Sequence, residues 1–288
     1  VYPFIENKKL VIVSDDILAN IPFDILFFKD YEKDDDYRSL PYLIKNHVIH
    51  YAYSATLYSQ KSFLNRHRTG ELLAIAPSYD NYTYSKTDSD LSAVRDLRSG
   101  LRPIPGVETE INRIAEITDA VVLRDEAANE VNFKRLSSQY AKIHIAGHAI
   151  INDEKPMYSK LAFTFDNNEM EDGFLNTYEI YNMRLNADLV VLSACNTGMG
   201  KLSKGEGLIS LGRGFMYAGV PTLVMTLWSI DDKSGSQLMT KFYEYLDKGN
   251  SEAEALRLAK IDFLKKADPM KAHPYFWAGY VSVGKENH

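Results

Sequence analysis

Short apolar runs alternate with amphipathic stretches along most of the chain. Lys9-Leu-Val-Ile-Val13, Asn46–Tyr53, Glu71-Leu-Leu-Ala-Ile-Ala76, Ala120-Val-Val-Leu123, Ala141-Lys-Ile-His-Ile-Ala146, Leu189–Leu192 and Thr222–Trp228 have the length and β-branched content of strands buried on both faces. Lys160-Leu-Ala-Phe-Thr-Phe165 alternates as a half-exposed strand does, and Tyr275–Val283 reads as a last strand. Between them, helical periodicity predicts helices from Ser54 to about His67, around Val107–Ala115, over Asn129–Ser138, from an Asn176 or Thr177 cap to Met183, and over Gly205–Ala218, Asp231–Asp247 and Ser251–Lys266. Glu108 and Glu110 fall in the first turn of the Val107 helix, where the helix dipole favours acids. Strands alternating with helices predict an α/β layered fold around a mostly parallel sheet. The segment Ser78–Pro105 is polar and weakly periodic, a long loop within a single domain spanning 1–288.

Composition narrows the function. The chain has 288 residues, 45% hydrophobic and 25% charged, enough for a real core. A net charge of -6 argues against direct nucleic-acid binding. No apolar run approaches a membrane span, and the start lacks the basic-then-apolar order of a signal peptide. A single cysteine excludes an internal disulfide and fits a reducing, cytoplasmic setting. The missing initiator Met is expected of a piece of a longer chain.

The candidate chemistry lies in two stretches. Cys195 follows the apolar run at Leu189–Leu192 and precedes a Gly-rich turn and a helix, the edge at which parallel sheets hold ligands. A buried core thiol is the competing reading. Ile143-His-Ile-Ala-Gly-His148-Ala149 is the second stretch. His144 and His148 are four apart, but in a strand that spacing is roughly 13 Å, too far to share a metal. No metal or other cofactor is therefore expected. His148 at the strand tip and Cys195 meet if their strands are neighbours. Imidazole would then take the thiol proton and thiolate would attack a carbonyl. The N–H groups of Cys195 and Ala149 would hold the oxyanion. His47, His50 and His67 read as structural. Asp34-Asp-Asp36 reads as an exposed loop, lacking the ligand spacing of a calcium loop. Asn152, Asp153 and Glu154 read as loop, with an imidazole-orienting role as the other option.

His144-Ile-Ala-Gly-His148 and Ser193-Ala-Cys-Asn-Thr-Gly198 resemble the two motifs of CHAT domains, a caspase-like family often found behind TPR repeats. Val11-Ile-Val-Ser-Asp-Asp16, Tyr53-Ser-Ala-Thr56, Lys204-Gly-Glu-Gly207, Leu227-Trp228 and His273-Pro-Tyr-Phe-Trp-Ala278 are similar to the family pattern as well. The resemblance implies a caspase-like three-layer sandwich and a cysteine endopeptidase with a His148–Cys195 dyad. One departure stands out: the His of such proteins is usually followed by Gly, and here Ala149 follows. The resemblance also implies a protein substrate, with gasdermin-like and CRISPR-associated proteins of bacterial defence as candidates. It implies control by an upstream TPR region or a regulatory partner. The alternative is a catalytically silent caspase-fold scaffold. Asp231 and Asp232 follow the strand ending at Trp228, near where such folds build a specificity pocket. They would select a basic side chain there, or Ser229-Ile-Asp-Asp232 would form a capping box. Ser78–Pro105 and Gly198–Gly205 are expected to gate the cleft.

Overall fold

A computed structural model describes residues 2–6, 8–32, 36–59, 68–79, 97–98, 100–165, 171–196 and 206–285. The part beyond Ser59 of the helix expected to reach His67, most of the polar segment Ser78–Pro105, the turn Gly198–Gly205 and Asp34–Asp35 lie outside these residues. Among the described residues ten strands form one sheet: β1 (Leu10–Ile12), β2 (Ile49–Tyr51), β3 (Gly70–Ala76), β4 (Ala120–Arg124), β5 (Tyr140–Ile150), β6 (Lys160–Ala162), β7 (Phe174–Asn176), β8 (Leu189–Asn196), β9 (Thr222–Thr226) and β10 (Tyr280–Gly284). Their order is β1-β2-β10-β9-β8-β5-β3-β4, with β6 and β7 added as a hairpin on β5. All neighbours in the main path are parallel except β9 and β10.

Among the described residues the helices are α1 (Tyr2–Ile5), α2 (Ala55–Ser59), α3 (Pro105–Ile117), α4 (Glu130–Leu136), α5 (Thr177–Ile180), α6 (Glu206–Tyr217), α7 (Asp232–Asp247) and α8 (Glu252–Lys266). They cover both faces of the sheet, which is why the central strands read as apolar runs. On one face Val190, Leu192, Ile143 and Ile145 pack under Leu211 and Phe215 of α6 and Phe133 of α4. On the other, Leu189, Val191 and Val224 pack under Ile114 of α3, Leu238 and Phe242 of α7, and Ala259 and Phe263 of α8. The result is the mixed α/β sandwich with a mostly parallel sheet that the pattern predicts.

The structure corrects several expectations. β5 does not end at His148; it runs to Ile150, because β6 pairs with its last turn of strand, His148 opposite Ala162. β6 is not half-exposed: Leu161, Ala162 and Phe163 are buried, since β7 pairs on its far side and the Phe133 ring lies 5.0 Å from that of Phe163. The last strand begins at Tyr280, preceded by a 3-10 turn at Pro274–Phe276. The cap of α7 is Asp231, whose carboxylate accepts from the Ser234 N–H, rather than Ser229. Asn176 does form a capping box with Glu179 for α5, as its position predicts.

Candidate functional site

β5 and β8 are adjacent and parallel, and His148 stands directly opposite Cys195 in their register. Neighbouring strands lie about 4.8 Å apart. Side chains alternate along a strand, so positions 144, 146 and 148 of β5 share a face with positions 191 and 193 of β8. This is the face covered by α3, α7 and α8. The ladder from β8 to β9 stops at Leu192–Met225, three residues short of Cys195. Ala149, by contrast, lies inside β5, between Leu161 on β6 and Asn196 on β8.

The His148 ring is only 7% exposed. Its Nε2 lies 2.6 Å from the carbonyl oxygen of Arg102. A carbonyl only accepts, so Nε2 carries the hydrogen. In the neutral ring the lone pair is then on Nδ1, which is buried and has no hydrogen-bond partner among the described residues. Burial lowers the His148 pKa from its ordinary value, against the upward pull of the Arg102 carbonyl and of the Asp232 charge. The imidazole is thus held neutral, in one tautomer, with its basic nitrogen free of partners among the described residues.

Tyr79 supports this arrangement. Its hydroxyl accepts the His148 backbone N–H at 2.9 Å and donates to the Ala162 carbonyl at 2.8 Å. Its ring lies 4.6 Å from the imidazole. This close approach needs Gly147: a Cβ there would stand 2.7 Å from the Tyr79 hydroxyl. Neither Tyr79 nor the Arg102 carbonyl is singled out by the sequence. Tyr79 sits at the start of a segment read as a polar loop, and a backbone carbonyl leaves no signature in residue type.

The other candidates are distributed as follows. Asp231 serves as the α7 cap and lies 3.6 Å from Lys271 Nζ. Asp232 lies with Ser193, Thr226 and Glu110 around a crevice of about 20 Å³, the size of a single water. Asp153 accepts the Gly207 N–H at 3.0 Å, tying the segment after β5 to the first turn of α6. Asn152 caps its own turn through the Glu154 and Lys155 amides, so neither orients the imidazole. A larger cleft of about 530 Å³ opens beyond the ends of β1, β2 and β9, lined mainly by apolar residues such as Leu208, Met225 and Leu227, with Asp15 and Glu206 among its acids.

His144 is fully buried between two helices, its Nε2 2.9 Å from Glu110 Oε1 on α3 and its Nδ1 3.1 Å from the Tyr243 hydroxyl on α7. Glu110 is therefore a core partner rather than a first-turn acid. His47 and His50 are buried as well, with Nδ1 of His47 on the Lys8 carbonyl and Nε2 of His50 on the Gly284 carbonyl. Among the described residues one set of carboxylates has the spacing of metal ligands: Glu130, Glu171 and Glu179. The Lys134 ammonium lies 2.8 Å from an oxygen of each. No helix among the described residues is long and apolar enough to cross a membrane.

Comparison with known proteins adds the family. The model of the CHAT domain matches residues 5–285, nearly the whole chain. The chain belongs to the CHAT domain family. Tetratricopeptide repeat protein 28 of Mus musculus is 29% identical over 114 residues, covering 39% of this chain and 4% of that protein. Its Homo sapiens counterpart is 24% identical over 217 residues, 64% of this chain and 8% of that protein. This CHAT domain therefore spans less than a tenth of the curated relatives it matches. Among solved structures, separase in the Saccharomyces cerevisiae separase–securin complex aligns with a TM-score of 0.47 and 15% identity over 87% of this chain and 14% of that one. The Arg-specific cysteine proteinase gingipain R aligns with a TM-score of 0.46 and 9% identity over 89% of this chain and 57% of that one.

Proposed function

We propose that this CHAT domain is a cysteine endopeptidase, with Cys195 as nucleophile and His148 as general base. The observation that carries the reading is the imidazole itself. Nε2 is fixed on the Arg102 carbonyl, Nδ1 is buried and has no hydrogen-bond partner among the described residues, and the residue stands opposite the only cysteine of the chain. His50, by comparison, has both ring nitrogens engaged, with Gly284 and Ser282.

In this mechanism Nδ1 takes the Cys195 proton and the thiolate attacks the scissile carbonyl carbon. The oxyanion is held by backbone N–H groups of β8 beyond the end of its ladder to β9, Cys195 first among them. Collapse of the tetrahedral intermediate breaks the C–N bond, and the proton passes from Nδ1 to the leaving amine. A thioester remains. Water then gives its proton to Nδ1 and its oxygen to the acyl carbon, and the released thiolate recovers the proton. The Arg102 carbonyl stabilises the imidazolium formed twice in the cycle. The 530 Å³ apolar cleft at the same edge of the sheet suits residues of a peptide chain flanking the scissile bond.

The substrate is a protein, and the activity is controlled by the rest of the longer chain or by a partner. Gasdermin-like and CRISPR-associated substrates and a place in bacterial defence follow from the family resemblance alone; a cytoplasmic setting rests on the single cysteine. The same holds for Asp232 as a selector of basic side chains; Asp231 is engaged as a helix cap. The test is cleavage of a peptide library by the full-length protein, with its partner, against the Cys195→Ala variant. Cleavage that disappears in Cys195→Ala and in His148→Ala is expected; cleavage that persists unchanged in Cys195→Ala overturns the assignment.

A further inference from the structure

Away from the dyad, a groove of about 550 Å³ runs between α3, α7, the end of α8 and the residues after it. Its volume is that of a site for a small organic ligand, typically about 300–1,000 Å³. In a chain of net charge -6, five cations line it: Arg113, Lys233, Lys241, Lys266 and Lys271. Two carboxylates, Asp262 and Asp268, line it as well, and both are engaged: Asp262 accepts from the Tyr245 hydroxyl and Asp268 from the Lys271 N–H.

Three of the cations have acidic neighbours. Arg113 pairs with Glu116 at 2.7 Å, Lys241 pairs with Glu244, and Lys271 lies 3.6 Å from Asp231. Lys233 and Lys266 have no ion-pair partner among the described residues. The helix dipole accounts for Lys266, which sits in the last turn of α8. It opposes Lys233, which sits in the first turn of α7, where a cation is unfavourable. α7 and α8 form an antiparallel pair, so its first turn and the last turn of α8 lie at the same end. The two ammonium groups, unpaired among the described residues, therefore line one concavity, together with two hydrogen-bonding side chains: Thr109 on α3, and Gln237 one turn on from Lys233 on α7.

We propose that this groove is a binding site for a small phosphorylated ligand carrying at least two negative charges, bridged between Lys233 and Lys266. The site is independent of the peptidase assignment. It does lie on the outer side of α3 and α7, whose N-terminal ends flank the His148 site, and the backbone of Gly106 packs directly on Asp232.

The experiment is isothermal titration of the full-length protein at low salt with ATP and, separately, inorganic tripolyphosphate, with adenosine as the uncharged control. Saturable binding of both anions and none of adenosine is expected. Lys233→Gln/Lys266→Gln should weaken binding at least tenfold. Lys8→Gln/Lys155→Gln, which removes the same charge elsewhere on the surface, should leave it unchanged. All four lysines are exposed, so both variants should fold, and matching thermal melts would verify it. Absence of saturable binding overturns the proposal, as does equal weakening by the two double variants. A single-stranded oligonucleotide that displaces tripolyphosphate and binds more tightly than ATP overturns the assignment to a small ligand.

Discussion

His148 keeps its proton on Nε2 because a carbonyl stands 2.6 Å away, and burial keeps the ring from taking a second proton. In the proposed mechanism the base must be neutral to act, so activity should fall as pH drops through its folded pKa. That pKa is lowered, so the acid limb of kcat/KM should lie below the ordinary histidine value of about 6.5. A limb centred above 7 would show that another group is titrating. Tyr79 is the second residue whose contribution is specific. Tyr79→Phe keeps the ring against the imidazole but removes the acceptor for a buried amide, at a cost of about 1–3 kcal/mol. Because Tyr79 holds the base and touches no substrate, kcat should fall severalfold with KM little changed. A rise in KM alone would move Tyr79 into the binding cleft.

Among the elements, β5 is the one whose local packing decides the site. Gly147 lets the strand approach the segment after β3, and a methyl group there would meet the Tyr79 hydroxyl at 2.7 Å and Pro77 Cδ at 3.4 Å. Gly147→Ala should therefore destabilise by about 1–3 kcal/mol through overpacking, read as a lowered Tm. In a Tyr79→Phe background the same substitution should cost less, because the atom it strikes is gone; equal costs in both backgrounds would locate the strain elsewhere. The strands that carry this geometry were legible because burial on both faces writes continuous apolar runs, as in Leu189–Leu192 and Glu71–Ala76. The adjacency of the His148 and Cys195 strands followed from motif resemblance rather than from periodicity. The continuation of β5 past His148 was hidden because Gly147 and Ala149 carry little strand signal. Phe174–Asn176 is three residues long, too short for an alternation to register. Glu110 looked like a dipole-satisfying acid because local position cannot reveal a partner 34 positions on in sequence.

Across the whole molecule, the two long helices α3 and α7 are tied to the central strand by one buried polar group. His144 lies 2.9 Å from Glu110 on α3 and 3.1 Å from Tyr243 on α7, and all three are buried. Four residues along β5 is His148, and three residues before α3 is the carbonyl that holds it. The placement of that carbonyl relative to the imidazole thus passes through a single tie between α3 and β5. Breaking one side of the tie and replacing both sides have different consequences. His144→Leu leaves the buried Glu110 carboxyl group without its neighbour and should destabilise by about 1–3 kcal/mol. Glu110→Leu/His144→Leu removes both polar groups, and a well-packed apolar pair is often neutral or stabilising by comparison. The double variant should therefore recover most of the stability lost in His144→Leu, measured by chemical denaturation. Peptidase activity should not recover with it, because leucines fill space without fixing the rotation of α3 that aims the Arg102 carbonyl. If activity returns in step with stability, apolar packing alone positions α3. If the double variant is as unstable as the single one, the Tyr243 hydroxyl, left unpaired in both, carries the cost.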